Sequence, residues 1–138
     1  MAVDISISYD GDLHCTARHE PSGSTFITDA PVDNGGKGEY FSPTDLVGAA
    51  LGSCILTIMA LVAKRQNIEL AGTRVHVVKE MTKELPRRIE SLKMTVTFPA
   101  ELKIDDADRI RLEQAARKCP VKESLHPEIA LETHFIYS

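Results

Sequence analysis

Tryptophan is absent from this 138-residue chain, and its other aromatics are four Phe and three Tyr. With so few large rings, the core has to come from Leu, Ile, Val, Ala and Met. Cysteine is scarce and odd in number, at three. That argues against the disulfide framework of a small secreted domain and for a reducing, cytoplasmic setting. A basic excess is missing too: the net charge is −4, so no cationic face for nucleic acid is expected. The opening MAVDISISYDGD has no basic stretch followed by an apolar core, so no secretory leader is read there. No G-x-G-x-x-G, Walker loop, G-x-S-x-G or H-E-x-x-H occurs, which removes the common nucleotide, serine-hydrolase and zinc-protease signatures.

What is present is the composition of an ordinary globular domain, 43% apolar and 26% charged. The length suits one domain, residues 1–138, which should bury about two-thirds of its extended surface. One stretch stands out. Leu46 to Ala63 runs for 18 residues without a charge and contains Gly48-x-x-x-Gly52. A membrane span is one reading. The run only reaches the minimum length, however, and it includes Ser53 and Thr57. The soluble alternative, which we prefer, is a central helix buried on all sides, its glycines admitting another backbone. Such a helix would be about 36 Å long at 1.5 Å per residue. A small domain covers that poorly, which hints at a dimer.

The period of the apolar residues assigns the rest. Residues 3–9 alternate as a strand, Asp10-Gly11 signals a two-residue turn, and 12–19 returns as its partner. A third short strand spans 24–28, and the glycine-bearing segment 29–42 suits a loop lying across a site. Ser42 as N-cap, Pro43 in the first helical position and Asp45 at N3 open the long helix, which ends near Gln66-Asn67. Strands follow at 72–82 and 88–98, the second with a slip in its alternation at Glu90-Ser91. Asp105 caps a helix running to about Lys118 whose stripe is Ile110, Leu112, Ala115 and Ala116. Pro120 opens a short helix through about Leu125, and 129–137 closes as a strand. The order βββ-α-ββ-α-α-β is α+β rather than α/β.

The chemistry has to come from the cysteines. Cys54 lies midway along the apolar helix, where a small buried hydrophobe is the plain reading and burial would raise its pKa unless a cation compensates. Cys119 precedes Pro120 at the start of a helix, where backbone N–H groups favour a thiolate. His14-Cys15-x-x-x-His19 could suggest a metal, but strand alternation puts His14 and Cys15 on opposite faces. Cys15 and His19 share a face about 13 Å apart, so no metal is expected there. Asp105, Asp106 and Asp108 read as helix capping, since neither the Gly nor the final Glu of a calcium loop follows.

Together, SPTDLVGAALGSC (42–54) and KCPVKESL (118–125) resemble the two cysteine motifs of the OsmC/Ohr family, the osmotically inducible and organic-hydroperoxide-resistance proteins. The 65-residue spacing of the cysteines and the element order fit as well, over nearly the whole chain. The resemblance implies an intertwined homodimer with the long helices at its centre. It implies that Cys54 is the peroxidatic thiolate and Cys119 the resolving thiol. The activity would be reduction of organic hydroperoxides through a Cys54 sulfenic acid and a Cys54–Cys119 disulfide. An external dithiol would reset the pair, with no metal, haem or flavin. The likeness is to the broader OsmC-like branch. Peroxidases of the family hold their cysteine as thiolate with an Arg–Glu pair, and at the Glu position this chain has Thr44, followed by Asp45. The activating cation would then come from Arg18, Lys37, Arg87 or Arg88. A non-catalytic OsmC-like module holding a small hydrophobic ligand in a dimer-interface pocket is the alternative that Thr44 favours.

Overall fold

A computed structural model, describing residues 1–137, turns these periods into two three-stranded sheets and three helices. The order is β1 (Ile5–Gly11), β2 (His14–His19), β3 (Thr25–Asp29), α1 (Pro43–Arg65), β4 (Arg74–Met81), β5 (Ile89–Thr97), α2 (Asp106–Ala116), α3 (Pro120–Ser124) and β6 (Ala130–Ile136), with a 3-10 turn at Val32–Asn34. The chain divides into two compact units, Met1–Val47 and the part from Gly48 onward.

The first unit is an antiparallel meander, β1-β2-β3. Its first turn falls two residues later than the sequence suggested. Asp12 and Leu13, not Asp10 and Gly11, are the central pair, with φ of 55° and 65°. A two-residue hairpin needs positive φ at both central positions. Gly11, also at positive φ, instead absorbs the register shift that follows Tyr9. Alternation puts Ile5, Ile7, Tyr9, Cys15, Ala17 and Phe26 on one face, of which Ile7 and Tyr9 stay 64% and 66% exposed. The segment after β3 turns tightly at Gly36, where an added Cβ would lie 1.7 Å from the Ala30 carbonyl oxygen. Phe41 then bridges back to Thr28, and its carbonyl accepts the Asp29 N–H.

In the second unit β5 is the central strand, antiparallel to β4 and parallel to β6. Pairing on both sides explains why Leu92, Met94 and Val96 are almost wholly buried. Register places Val75, Val77, Leu92, Met94, Val96, Leu131 and Phe135 on the core face, with Arg74, His76, Lys93, Glu132 and His134 on the other. The slip at Glu90-Ser91 is a bulge: Glu80 pairs with Ser91 and Met81 with Ile89, leaving Glu90 unpaired.

Helix α1 lays Gly48, Leu51, Gly52, Ile55, Met59 and Ala63 inward, a stripe at helical spacing. The two glycines sit against the valines of β4. Burial on all sides is not what this chain provides: the opposite side of α1 is open, and Leu61 is 53% exposed. One three-stranded sheet can cover only one face of an apolar cylinder. The helix is also long and apolar enough to cross a membrane, by length and composition. On α2 the stripe is narrower than expected. Leu112 and Ala116, four residues apart, are buried, while Ile110 is exposed because two residues turn it roughly 200° away.

Candidate active site

The start of α1 is fixed by a reciprocal cap. The Asp45 N–H donates to Ser42 Oγ at 3.1 Å, and the Ser42 N–H donates to Asp45 Oδ2 at 2.9 Å. Ser42 Oγ also lies 3.3 Å from Thr44 Oγ1, so the hydroxyl at the family's Glu position takes part in capping. Three turns on, Cys54 sits at the edge of the buried stripe, one residue before Ile55 and three after Leu51, and is half-buried.

Cys119 reaches the same place from the far end of the sequence. Helix α2 is capped by Asp105, whose side chain accepts the Asp108 N–H at 2.8 Å. The chain then turns at Arg117 and Lys118 into α3, which Cys119 caps with Pro120 at its first position. The Cys119 Sγ accepts the Lys122 N–H at 3.3 Å, and the residue has no exposed surface.

Cys54 is the neighbouring side chain that acts on the Cys119 thiol, and neither cysteine is in a disulfide. Burial first, and then the Cys54 sulfur, push the Cys119 thiol above its ordinary pKa, while the Lys122 and Val121 N–H groups pull the other way. Cys119 thus favours its protonated form, and that proton can point at the neighbouring sulfur.

Beside the pair lies a cavity of about 150 Å³, lined by Leu51, Ile55, Met94, Ala116, Leu131 and Thr133, with Arg117 and Lys122 at its cationic side. Lys122 Nζ donates to the Arg117 carbonyl at 2.8 Å, and the Arg117 guanidinium lies 5.9 Å from the centre of the Phe135 ring. Sequence reasoning overlooked these two cations. The signal was there, since they bracket Cys119 two residues before and three after.

The cations singled out from sequence have partners of their own. Arg88 pairs with Glu128 at 3.2 Å and donates to the Ile89 carbonyl. Arg87 stands next to it on the β4–β5 connection. In the first unit, Arg18 pairs with Glu20 at 3.4 Å and Lys37 with Asp12 at 3.2 Å. Cys15 belongs to that unit as well, half-buried on β2 and paired with Tyr9 and Thr28.

Comparison with known proteins gives this arrangement a context. The family profile described as OsmC-like protein matches residues 36–134, which takes in both cysteines. The chain belongs to the OsmC-like family. A crystal structure of a Psychrobacter arcticus 273-4 protein, proposed to be an osmotic stress induced and detoxification response protein, is 41% identical, with 95% of this chain and 93% of that one covered and a TM-score of 0.88. An organic hydroperoxide resistance protein from Elizabethkingia anophelis shares the fold at 16% identity, 100% and 97% coverage and a TM-score of 0.77. The organic hydroperoxide resistance protein OhrB of Bacillus subtilis does so at 17% identity, 98% coverage of both chains and a TM-score of 0.69. Among curated proteins none matches. The α+β architecture here is therefore that of the OsmC-like proteins.

Proposed function

We propose that this OsmC-like protein is a thiol peroxidase for organic hydroperoxides, with Cys54 attacking and Cys119 resolving. The observation that carries the reading is that two free thiols 65 residues apart in sequence are neighbours in the fold. Hydroperoxide resistance in two structural relatives supports the substrate class. The Cys54 thiolate attacks the terminal oxygen of ROOH, and the O–O bond breaks. The electron pair leaves on the alkoxide, which takes a proton to become ROH, and Cys54 becomes a sulfenic acid. Cys119 then attacks the Cys54 sulfur, and the sulfenic oxygen departs as water as the disulfide forms. An external dithiol, itself oxidised to a disulfide, returns both thiols. Cys119 keeps its proton until the disulfide forms, as its raised pKa favours.

The neighbouring apolar cavity favours organic over inorganic peroxide, since burying an alkyl chain contributes about 0.8 kcal/mol per methylene. A homodimer would cover the open side of α1 and the Ile5, Ile7, Tyr9 face. The chain would work in the cytoplasm without a cofactor, and its extraction without detergent would exclude the membrane reading.

The test is to add one equivalent of cumene hydroperoxide to the reduced protein and record the intact mass. Disulfide formation removes two hydrogens, about 2 Da. Cys54→Ser must abolish peroxide consumption; unchanged consumption refutes the reading. A second reading rests on the same cavity: a small apolar ligand held there without turnover. It predicts saturable binding of the alcohol product with no mass change on peroxide addition.

A further inference from the structure

A second constellation belongs to the N-terminal unit, and the peroxidase reading makes no use of it. His14 and Asp29 are register partners on β2 and β3 and share a face of the sheet. Asp29 is only 1% exposed. Its Oδ2 accepts the backbone N–H groups of Lys37 at 3.2 Å and Glu39 at 3.1 Å, folding the 30–39 segment back onto the strand end. That fold delivers the Glu39 side chain to the same spot. His14 Nε2 lies 3.5 Å from Asp29 Oδ1 and 4.0 Å from Glu39 Oε1, and all three atoms fall within 4.8 Å of one another. Two of these atoms, His14 Nε2 and Asp29 Oδ1, are buried and make no hydrogen bond among the described residues. Buried polar atoms are seldom left so.

We propose that His14, Asp29 and Glu39 form a binding site for a divalent transition-metal ion of the zinc class. Ligand atoms about 2.0–2.2 Å from a tetrahedral ion stand roughly 3.3–3.6 Å apart. The His14–Asp29 separation already matches. Glu39 has to close by about half an ångström on His14 and, from within 4.8 Å, on Asp29, which its exposed side chain achieves by rotation. The supporting contacts suit the role. Two N–H groups fix Asp29, and the His14 ring meets Tyr40 edge to face at 5.7 Å. Lys37, the nearby cation, has its ammonium on Asp12 at 3.2 Å. The donor set of one imidazole and two carboxylates selects zinc-like ions over calcium or magnesium, which take oxygen. Three protein ligands leave a fourth position for water or an incoming group. The bound ion would fasten the 30–39 segment to the sheet.

The alternative is a plain histidine–aspartate ion pair, and the two differ in metal stoichiometry. Zn²⁺ is titrated calorimetrically into Cys54→Ser/Cys119→Ser, so that the dithiol does not compete, and into the unsubstituted reduced chain. The site predicts one Zn²⁺ per chain in the double variant. Affinity falls at least tenfold on His14→Ala and on Glu39→Gln. Glu39→Gln alters an exposed side chain and leaves the Asp29 bonds intact, so it tests the site even if the His14 variant misfolds. In the unsubstituted chain Glu39→Gln removes one equivalent of Zn²⁺, whatever the thiols bind. Co²⁺ bound to the double variant shows ligand-field bands without sulfur-to-cobalt charge transfer. No Zn²⁺ uptake by the double variant, an affinity unmoved by both substitutions, or a sulfur charge-transfer band would each overturn the proposal.

Discussion

Two glycines one helical turn apart on α1 should respond to alanine in opposite directions. A Cβ on Gly48 would meet Val77 Cγ1 at 3.4 Å and Leu92 Cδ2 at 3.6 Å, ordinary contact distances. A Cβ on Gly52 would meet Val77 Cγ2 at 3.0 Å and Val75 Cγ1 at 3.1 Å. Both valines are β-branched and sit on a strand paired to β5, so neither side chain can swing aside without moving backbone. Replacing a helical glycine by alanine contributes about 0.5–1 kcal/mol, and Gly48→Ala should keep all of it. At Gly52 the same gain is opposed by an overpacking cost of about 1–3 kcal/mol. The two variants should therefore differ by roughly 1–3 kcal/mol, or about 4–12 °C in Tm for a chain this size. Thermal and urea unfolding of both, at equal protein concentration, measures this directly. Gly52 is two residues from Cys54, so the displaced helix should also slow peroxide-driven disulfide formation in Gly52→Ala and not in Gly48→Ala. A Gly52→Ala chain as stable as Gly48→Ala would refute the reasoning, because the helix would then have slack against the sheet.

Other consequences follow from single groups. The pKa of Cys119 is raised in the fold, so the folded state holds that proton to higher pH than the unfolded chain, whose thiol titrates near about 8.5. Reduced protein should lose stability as pH rises above that value and through the folded one, and Cys119→Ser should lack this limb in urea midpoints taken across the range. With no resolving thiol, Cys119→Ser should still consume about one equivalent of hydroperoxide and then gain oxygen in excess oxidant, as sulfinic acid at Cys54. A mass series that shows no oxygen addition would count against Cys119 as resolver. Tyr137 donates to Glu113 Oε2 at 3.0 Å and stacks on Phe98 at 4.6 Å. Burial first, then that carboxylate, raise its pKa against the opposing Arg109. An absorbance titration of the three tyrosines should show a late component that Tyr137→Phe removes, and the variant should lose about 1 kcal/mol of stability.

Much of this architecture is legible in the sequence because local signals and tertiary demands agree. The Ser42–Pro43–Asp45 cap, the Asp105 cap and the period-2 runs each name an element that folds as read. The failures share one cause, a choice made by contacts distant in sequence. Asp10-Gly11 is a good turn pair, yet pairing of Tyr9 with Cys15 and Gly11 with His14 moves the turn to Asp12-Leu13. Ile110 reads as core, but α2 needs only Leu112 and Ala116 to cover what faces it. At the site, Cys54 and Cys119 are singled out by the resemblance of their motifs, since the local setting of Cys54 alone reads as a buried hydrophobe. Arg117 and Lys122 bracket Cys119 in the sequence, but it takes the fold to set both on the cavity wall. The His14–Asp29–Glu39 group was hidden for the same reason. His14 and Asp29 are 15 residues apart, and only the β2–β3 register makes them neighbours.

The asymmetry of the two thiols supplies the division of labour in the proposed reaction. A peroxidatic sulfur must be reached by a substrate from outside, whereas a resolving sulfur need only reach the first one. Cys119 has no exposed surface and is fixed as the cap of a proline-initiated turn, so a hydroperoxide cannot approach it without displacing protein atoms. Cys54 stands at the edge of the α1 stripe, half-buried, with its neighbours Leu51 and Ile55 on the wall of the apolar cavity. Burial that would make a lone thiol inert does something different here. It holds the proton on Cys119, the sulfur that should not react first, and leaves it within reach of the sulfur that should. In the proposed reaction, condensation between these neighbouring thiols is the step that must compete with further oxidation. Residues 54 and 119 would thus act as one unit in that reaction, the deeper thiol trapping the shallower one.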